Sequence, residues 1–253
     1  MLENIKAIVL EAGKIVTSAE DITAKTDEKN GAADLVTAYD VAVENFLREK
    51  LIALLPDALF YGEESAKDGD PSKGWAFIVD PIDGTTNFVR GMNQSAISVA
   101  LAKDGAMEYA VVFDPFKNEL FSAQRGKGAH LNGKPIRVSD RPLEKGIFGM
   151  GTAIYNREFD EKTISVTAQL FARSCDFRRM GAAALDLCYV AAGRYDAFFE
   201  FSLAPWDFAA GSLIVTEAGG LLCTMEGEPL PIARCGIWAS NEVNYHILKE
   251  LNF

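Results

Sequence analysis

The residues whose types and spacing could do chemistry lie in one stretch, where Asp80 and Asp83 follow an apolar run from Trp75 to Val79. A continuous apolar run of this length is typical of a strand buried on both faces. The strand is predicted to end at Asp80, because Pro81 has no N–H for a central ladder. Asp83-Gly84 then predicts a turn. Two carboxylates at this spacing could hold a hard divalent cation such as Mg²⁺ between them.

The residues after that turn add a second feature. Thr85, Thr86 and Asn87 have side chains suited to opening a helix, and the free N–H groups of a helix start suit a phosphate. Together the two features predict a metal-assisted phosphoryl-transfer site. The alternative is that Asp80 merely ends a strand and Asp83-Gly84 is an ordinary turn. An ordinary turn would explain Asp-Gly alone. The whole string Asp-Pro-Ile-Asp-Gly-Thr-Thr favours the phosphoryl-transfer site.

A second acidic pair, Glu63-Glu64, stands at the end of a short predicted strand at 57–61. Adjacent glutamates in such a place usually belong to a solvated turn. If this strand and the strand that ends at Asp80 are neighbours, Glu63 or Glu64 could reach the same metal.

Two further aspartates have both a structural and a chemical interpretation. Asp207 lies in the first turn of a predicted buried helix at 205–220, where it complements the helix dipole or serves as a third metal carboxylate. Asp40 fits a capping box with Thr37 at the start of a helix at 38–54, and a metal role is the open alternative.

Asp186 presents a different problem, because it lies within a nearly all-apolar predicted helix at 181–192. Such a helix must be buried, and a buried carboxylate needs a partner. The nearby Arg178 or Arg179 is the predicted partner.

Composition narrows the classes of function. The chain has 253 residues, of which 49% are apolar and 24% charged, as expected of a globular protein with a full core. The net charge of −11 disfavours nonspecific nucleic-acid binding and a positive funnel for phosphates. Metal ions would therefore have to supply positive charge for an anionic ligand.

The sequence offers few residues for zinc binding, redox chemistry or nucleophilic catalysis. The four cysteines form no Cys-x-x-Cys motif, which argues against zinc and redox sites. The two histidines, His130 and His246, neighbour no candidate nucleophile, so a Ser-His-Asp mechanism is not expected. No signal peptide and no apolar run of about 20 residues is seen, so a cytoplasmic protein without membrane contact is expected.

The elements that must position these residues alternate between helices and strands. Before the Asp80 stretch we expect an amphipathic helix at 3–19 and a mobile loop or short hairpin at 20–33, and after it an antiparallel meander at 96–123 and a hairpin at 126–133. Strands are predicted at 146–150, 195–201, 221–224 and 236–240. An extended segment is predicted at 175–180, and helices are predicted at 159–173 and 242–251. We expect two halves, residues 1–145 with most metal ligands and residues 146–253 with Asp207.

Four pieces of sequence in this order resemble the inositol monophosphatase family of Mg²⁺-dependent, lithium-inhibited sugar phosphatases. They are Gly62-Glu-Glu-Ser, Asp80-Pro-Ile-Asp-Gly-Thr-Thr-Asn-Phe, Arg179-x-Gly-x-Ala-Ala-Leu, and Trp206-Asp-x-Ala-Ala-Gly with Thr216-Glu-Ala-Gly-Gly. The resemblance covers essentially the whole chain. It implies an α+β fold, a layered α-β-α-β-α sandwich of the inositol monophosphatase and fructose-1,6-bisphosphatase type.

The resemblance also implies a cofactor, two to three ions of Mg²⁺ with Mn²⁺ as the alternative. Glu63, Asp80 and the backbone carbonyl of Ile82 would bind the first ion. Asp80, Asp83 and Asp207 would bind the second, and Glu63 would help to hold a weaker third.

Further roles follow from the same resemblance. Asp40 and Thr85 would order water, and the backbone of Gly84 and Thr85 would contact the phosphate. Lys29, in a mobile loop at 24–31, would lie near the third ion. The residues facing the hydroxyls of the alcohol would be Asp83, Ala183, Glu200 and Asp207.

The implied reaction is hydrolysis of a phosphate monoester, first of all inositol 1-phosphate, by direct in-line attack of water with Glu63 as proton acceptor and Thr85 as orienter. The alternatives are fructose 1,6-bisphosphate, histidinol phosphate or 3′-phosphoadenosine 5′-phosphate. Arg90 stands where the family often has histidine, and Arg178-Arg179 is closer to bacterial members. A homodimer is implied, and a binding partner of the transcription machinery is the alternative that needs no enzyme.

Overall fold

The computed structural model describes residues 1–28, 35–65 and 69–253. The helices are α1 Leu2–Thr17, α2 Ala38–Leu54, α3 Thr85–Val89, α4 Asp160–Phe171, α5 Ala183–Ala191 and α6 Pro205–Glu217. The strands are β1 Thr26–Glu28, β2 Leu35–Thr37, β3 Leu59–Gly62, β4 Trp75–Asp83, β5 Ala96–Lys103, β6 Ala106–Asp114, β7 Glu119–Gln124, β8 Ala129–Leu131, β9 Lys134–Ile136, β10 Ile147–Met150, β11 Asp176–Arg178, β12 Ala197–Leu203, β13 Leu221–Cys223 and β14 Cys235–Ser240. Short 3₁₀ helices occupy Ile22–Lys25, Leu143–Lys145, Arg157–Phe159 and Glu242–Glu250.

A seven-stranded sheet has the strand order β3-β4-β5-β6-β7-β8-β9, in which β3 and β4 pair parallel and the other pairs are antiparallel. Helices α1 and α2 cover one face through an apolar cluster that includes Val9, Leu47 and Phe77. Helices α5 and α6 cover the other face through Ile78 and its neighbours. Successive residues of β4 thus enter opposite cores, which confirms a strand buried on both faces.

A five-stranded sheet has the order β11-β10-β12-β14-β13. Strands β10, β11 and β12 run parallel, and β14 runs antiparallel to both β12 and β13. One face shares the core of α5 and α6, with Phe198 and Ile237 in the same cluster. The other face packs under α4 and the last 3₁₀ helix, with Val166 and Trp238 in a third cluster. The layers are therefore α-β-α-β-α, and the expected α+β sandwich is confirmed.

Most predicted elements are present, but one prediction is wrong. Strand β4 does not end at Asp80. It continues through Pro81 to Asp83, because a register shift lies between the pairs Asp80↔Ser98 and Asp83↔Ala96, and a proline there breaks no regular pairing. The final predicted helix at 242–251 is a 3₁₀ helix, since apolar spacing over so few residues does not distinguish the two helix types.

Near the N-terminus, β1 and β2 pair antiparallel, as the hairpin alternative predicted. Residues 29–34, with Lys29 and part of the predicted mobile loop, lie outside the described residues. The division into residues 1–145 and 146–253 stays a prediction. Among the described helices, none has the length and apolarity needed to cross a membrane.

Candidate active site

A cavity of about 660 Å³ lies where the end of β4, the start of α6 and the edge of the five-stranded sheet meet. Most of the predicted site residues line it. They are Glu63, Asp80, Ile82, Asp83, Gly84, Thr85, Ala183, Glu200 and Asp207. Asp40 lies behind this wall and contacts Thr85. The structure thus brings the predicted residues to one place, although they are spread over more than half of the chain.

The irregular end of β4 positions Asp80 and Ile82 in the site. Asp80 is buried, and its Oδ1 accepts the backbone N–H of Ile82 at 3.0 Å. The carbonyl of Ile82 lies within 3.1 Å of the Thr85 hydroxyl. This short loop places Asp80 and Ile82 at the same cavity.

Gly84 connects that loop to α3 and has a conformation that favours glycine. Its φ is +86°, in the left-handed region. A Cβ added there would lie 3.0 Å from the Gly181 carbonyl oxygen and 3.1 Å from that of Gln94. The turn therefore needs a residue without a side chain, and it brings the start of α3 against the residues before α5.

Asp83 and Asp207 are both fixed by backbone N–H groups. Asp83 accepts the N–H of Ala183 at 3.2 Å and of Ala184 at 2.8 Å, so it caps α5. Asp207 accepts the N–H of Ala204 at 2.7 Å at the start of α6. Each carboxylate keeps lone pairs that these bonds do not use, because two oxygens offer about four acceptor positions.

Asp40 has the predicted capping role. Its Oδ2 accepts the backbone N–H of Thr37 at 2.7 Å and the Thr37 hydroxyl at 2.5 Å, and its N–H lies 3.3 Å from the Thr37 hydroxyl. Its Oδ1 lies 3.1 Å from the Thr85 hydroxyl. The carboxylate is fully buried. It therefore orients Thr85, and it does so from outside the cavity wall.

The electrostatics of this acidic wall are unfavourable without a cation. Burial, and next the charge of Glu63, raise the pKa of Asp80 and of Asp207 well above the usual value. Burial is also the first cause that raises the pKa of Asp83 to about 7 and of Asp40 to about 6. Crowded carboxylates of one sign repel each other, and a cation relieves that repulsion.

The donor set suits a hard cation. The residues that line the cavity at this end include four with carboxylate side chains, and oxygen donors of this kind are the ligands that Mg²⁺ and Mn²⁺ prefer. In the described part of the chain, no three acidic, histidine or cysteine side chains converge closely enough to hold one ion as they stand. The residues fit such an ion by the chemistry of their oxygen donors.

The position of Glu63 depends on a residue that the sequence did not single out. Glu44 of α2 is buried, and its Oε2 accepts the backbone N–H of Glu64 at 2.9 Å. On the other side, the N–H of Glu63 donates to the Val79 carbonyl at 3.1 Å. The only signal for Glu44 in the sequence was an acid beside the apolar stripe of α2.

Neither predicted arginine forms an ion pair with Asp186 among the described residues, although Arg179 is near enough for its charge to lower the pKa of Asp186. Arg178 pairs instead with Asp176 at 2.6 Å, because both lie on β11, two residues apart. The Asp186 carboxyl interacts with the Tyr195 hydroxyl, and its Oδ1 has no hydrogen-bond partner among the described residues. Burial raises its pKa well above the usual value. The neutral acid thereby avoids the need for a cationic partner.

The far wall of the cavity was also missed. It consists of the segment after β10, which includes Gly151 and Tyr155, together with Arg179 and Arg234. Glu200 lies beneath it and accepts the backbone N–H of Ala153 at 2.8 Å. Arg179 opens one of the stretches that carry the family resemblance, but nothing in the sequence places it in the cavity with Gly151, Tyr155 and Arg234, because these residues meet only through the order of strands in the five-stranded sheet.

Comparison with known proteins decides the family. The model of the inositol monophosphatase family matches residues 1–252. The chain belongs to the inositol monophosphatase family. Membership supports a phosphatase fold and, for the family in general, magnesium dependence.

Relatives agree with this family assignment. The chain is 41% identical over 219 residues to Nus factor SuhB of Escherichia coli. The aligned residues cover 86% of this chain and 82% of the relative. The solved structure of extragenic suppressor protein SuhB from Bartonella henselae is 35% identical, with a TM-score of 0.91 over 98% of this chain and 96% of that one. Inositol monophosphatase from Anabaena (Nostoc) is 32% identical, with a TM-score of 0.86 over 98% and 93%.

Proposed function

We propose that this protein hydrolyses phosphate monoesters of polyols or sugars with the help of Mg²⁺, and that inositol 1-phosphate is its first candidate substrate. One observation carries the proposal. Glu63, Asp80, Asp83 and Asp207 line one end of a single cavity, beside the start of α3. The chain has no comparable set of nucleophile and histidine, whereas this acidic end provides what metal-assisted hydrolysis needs.

The residues that would hold the metal are those of the acidic wall. Glu63, Asp80 and the Ile82 carbonyl would hold one ion, and Asp80, Asp83 and Asp207 a second, with Glu63 also serving a weaker third. When bound, Mg²⁺ would neutralise phosphate charge and lower the pKa of the attacking water. Mn²⁺ has the same preference for oxygen donors and is the alternative.

Thr85 and Asp40 supply the orientation of the nucleophile. The Thr85 hydroxyl lies 3.1 Å from both the Asp40 carboxylate and the Ile82 carbonyl, and both of these groups can only accept. The single hydroxyl proton of Thr85 therefore points to one of these two acceptors, and the oxygen lone pairs of Thr85 would accept a hydrogen bond from a water in the cavity, which orients that water. Glu63, at the same wall, would accept the proton that this water loses as it attacks the phosphorus.

The phosphate and the alcohol would occupy adjoining parts of the cavity. The backbone N–H groups of Gly84 and Thr85 open α3, where no earlier turn of the helix accepts them, and they would bind phosphate oxygens. The hydroxyls of the polyol would face Asp83, Ala183, Glu200 and Asp207, which line the same cavity. Direct in-line attack by water follows, with no phosphoenzyme.

Phosphate release from inositol 1-phosphate, fructose 1,6-bisphosphate, histidinol phosphate and 3′-phosphoadenosine 5′-phosphate, with Mg²⁺ and with chelator, tests the proposal. Mg²⁺-dependent release that is fastest with the inositol ester supports both reaction and substrate. Release from another ester alone keeps the reaction and changes the substrate. No release from any of these esters would contradict the proposal.

A second candidate function is suggested by the name that the Escherichia coli relative carries, Nus factor, which is transcription-related. On this proposal the chain binds a component of the transcription machinery, and the expectation of no contact with nucleic acid would also need revision. A pull-down of purified transcription complexes with wild type and Asp83→Asn separates the two functions. Binding that survives in the variant without turnover supports a separate role, and no binding by wild type contradicts it.

A homodimer and inhibition by lithium are two further expectations that stay predictions. Sedimentation of the purified protein tests the dimer, and a lithium titration of phosphate release tests the inhibition.

A further inference from the structure

The cavity has two chemically different ends. The acidic end comes from the seven-stranded sheet, through Asp80 and Asp83 at the close of β4. The other end comes from the five-stranded sheet and contains Arg179 and Arg234, the cationic side chains among the described residues that line the cavity. Both arginines are exposed, so a ligand in the cavity can reach them.

The strand order explains why two arginines so distant in sequence meet. Strands β10, β11 and β12 are parallel, so their carboxyl ends share one edge of the sheet. Arg179 directly follows β11 at that edge. Strand β14 runs antiparallel to β12, and the pairing Leu203↔Cys235 places its first residue beside the end of β12. Arg234, which precedes Cys235, therefore lies at the same edge.

Glu200 of β12 lies between these arginines and the acidic end. Both Arg179 and Arg234 are close enough to lower its pKa, although burial is the larger effect and raises that pKa to about 7. The Glu200 carboxylate is already hydrogen-bonded to the Ala153 N–H at 2.8 Å. Neither arginine comes within 4.0 Å of this or another carboxylate in the described residues, so their charges are not cancelled by direct ion pairs.

Among the described residues, Arg179 and Arg234 share this lack of an ion pair with Arg90 and Arg137. Most of the eleven arginines pair with an acidic side chain. The paired ones are Arg48, Arg125, Arg141, Arg157, Arg173, Arg178 and Arg194. In a chain with a net charge of −11, acidic partners are plentiful. Arg179 donates to the Thr152 hydroxyl at 3.2 Å, and no hydrogen bond or ion pair of Arg234 is found among the described residues.

We propose that Arg179 and Arg234 form an anion subsite, which binds a second phosphate or carboxylate group of a substrate whose scissile phosphate lies at the acidic end. The inference rests on the proposed phosphatase activity, and within that activity it favours the bisphosphate alternative over inositol 1-phosphate. Guanidinium groups bind such anions through charge-assisted hydrogen bonds. A bisphosphate should therefore be a better substrate than the matched monophosphate.

The test compares kcat/KM for fructose 1,6-bisphosphate and fructose 1-phosphate, with fructose 6-phosphate measured as the product of the bisphosphate. These esters share the 1-phosphate and differ in the second anion. In wild type the ratio of the two constants should exceed about 10, and Arg179→Gln and Arg234→Gln should each lower it about tenfold. Arg234→Lys, which keeps the charge, should retain part of the preference.

Arg137→Gln is the matched control, because Arg137 is exposed, lies outside the cavity and has no ion pair among the described residues. Its ratio should equal that of wild type. An unchanged ratio in both Arg179→Gln and Arg234→Gln would overturn the subsite, including the case in which both esters lose rate equally.

A binding measurement separates failure of the subsite from failure of the phosphatase function. Calorimetry of the same two esters with Ca²⁺ in place of Mg²⁺ reads affinity without turnover. If no ester is hydrolysed, the proposed function fails, while tighter binding of the bisphosphate that is lost in Arg234→Gln still supports the subsite. Equal affinity for both esters in wild type would overturn it.

Discussion

The carboxylate of Asp83, at the end of β4, accepts the backbone N–H of Ala184 in α5 at 2.8 Å. This bond joins the seven-stranded sheet to a helix 101 residues later in the chain. Asp83 therefore has two functions in our account. It caps α5, and it is one of the carboxylates proposed to hold the metal.

The two functions of Asp83 can be separated by substitution. Asp83→Asn keeps one oxygen that can accept an N–H, so we expect it to fold with a loss of about 1 kcal/mol and to lose Mg²⁺-dependent turnover. Asp83→Ala leaves both N–H groups without a partner and should cost about 2 kcal/mol or more. Urea unfolding of both variants, beside phosphate release, measures the difference. Equal stability of the two variants would contradict the capping role.

In the metal-free protein, the free energy of unfolding should decrease as the pH rises, because buried carboxyls with raised pKa values must then ionise. The folded-state pKa of Asp83 is raised to about 7 and that of Asp40 to about 6, so the folded state binds more protons than the unfolded state between the usual carboxyl pKa and these values. Stability should then fall as pH rises through this window. With chelator present, we expect Tm at pH 8 to be at least about 2 °C lower than at pH 6.

Addition of Mg²⁺ provides the control for that measurement. Because the ion favours the ionised carboxylates, saturating Mg²⁺ should raise Tm more at pH 8 than at pH 6. A metal-free Tm that increases from pH 6 to pH 8 would show that the carboxylates do not titrate as described.

Glu44 should act on metal binding through Glu63. Glu44→Ala removes the acceptor of the Glu64 N–H and frees the loop that carries Glu63. We expect the Mg²⁺ concentration for half-maximal phosphate release to rise about tenfold, while Glu44→Gln, which keeps an acceptor, stays closer to wild type. Glu49→Ala, an exposed acid on the same helix, is the control. The same Mg²⁺ dependence in Glu44→Ala as in Glu49→Ala would exclude this role.

Alanine substitutions at two glycines should distinguish the cost of backbone strain from the cost of steric crowding. Gly91 and Gly84 both have positive φ, but an added Cβ at Gly91 has open space whereas one at Gly84 would press on two carbonyl oxygens. We expect Gly91→Ala to cost about 1 kcal/mol and Gly84→Ala about 1 to 3 kcal/mol more, with loss of phosphate release in the second. Urea unfolding gives both values, and equal costs would refute the close approach to Gly181 and Gln94.

The acidic end of the site could be predicted because its signal is local. Asp80 and Asp83 are three residues apart on one strand, and the stretch from Asp80 to Phe88 also carries much of the resemblance to the family. The continuation of β4 through Pro81 could not be predicted from the sequence. It depends on a register shift in the pairing of β4 with β5, and the sequence of β4 alone does not show that shift. The rule that proline ends a central strand assumes regular pairing.

The cationic end could not be predicted, since Arg179 and Arg234 meet only through the strand order of the five-stranded sheet. The surroundings of Asp186 show a related limit of sequence-based prediction. Closeness in sequence predicts an arginine partner, but Arg178 pairs with Asp176, Arg179 acts on Asp186 only through its charge without an ion pair, and burial leaves Asp186 neutral. Local spacing pointed to Asp80 and Asp83, and the family resemblance added distant residues such as Glu63 and Asp207, but neither signal placed the two arginines in the site.

The central claim is that ionised carboxylates at one end of the cavity hold the metal that hydrolysis needs. The most direct measurement is phosphate release from inositol 1-phosphate over a Mg²⁺ titration, by wild type, Asp207→Asn and Asp186→Asn. Asp207 belongs to the proposed metal set, whereas Asp186 lines the same cavity and its raised pKa keeps it neutral. We expect Mg²⁺-dependent release by wild type and Asp186→Asn and none by Asp207→Asn. Wild-type rates in Asp207→Asn, or release that is independent of Mg²⁺, would contradict it.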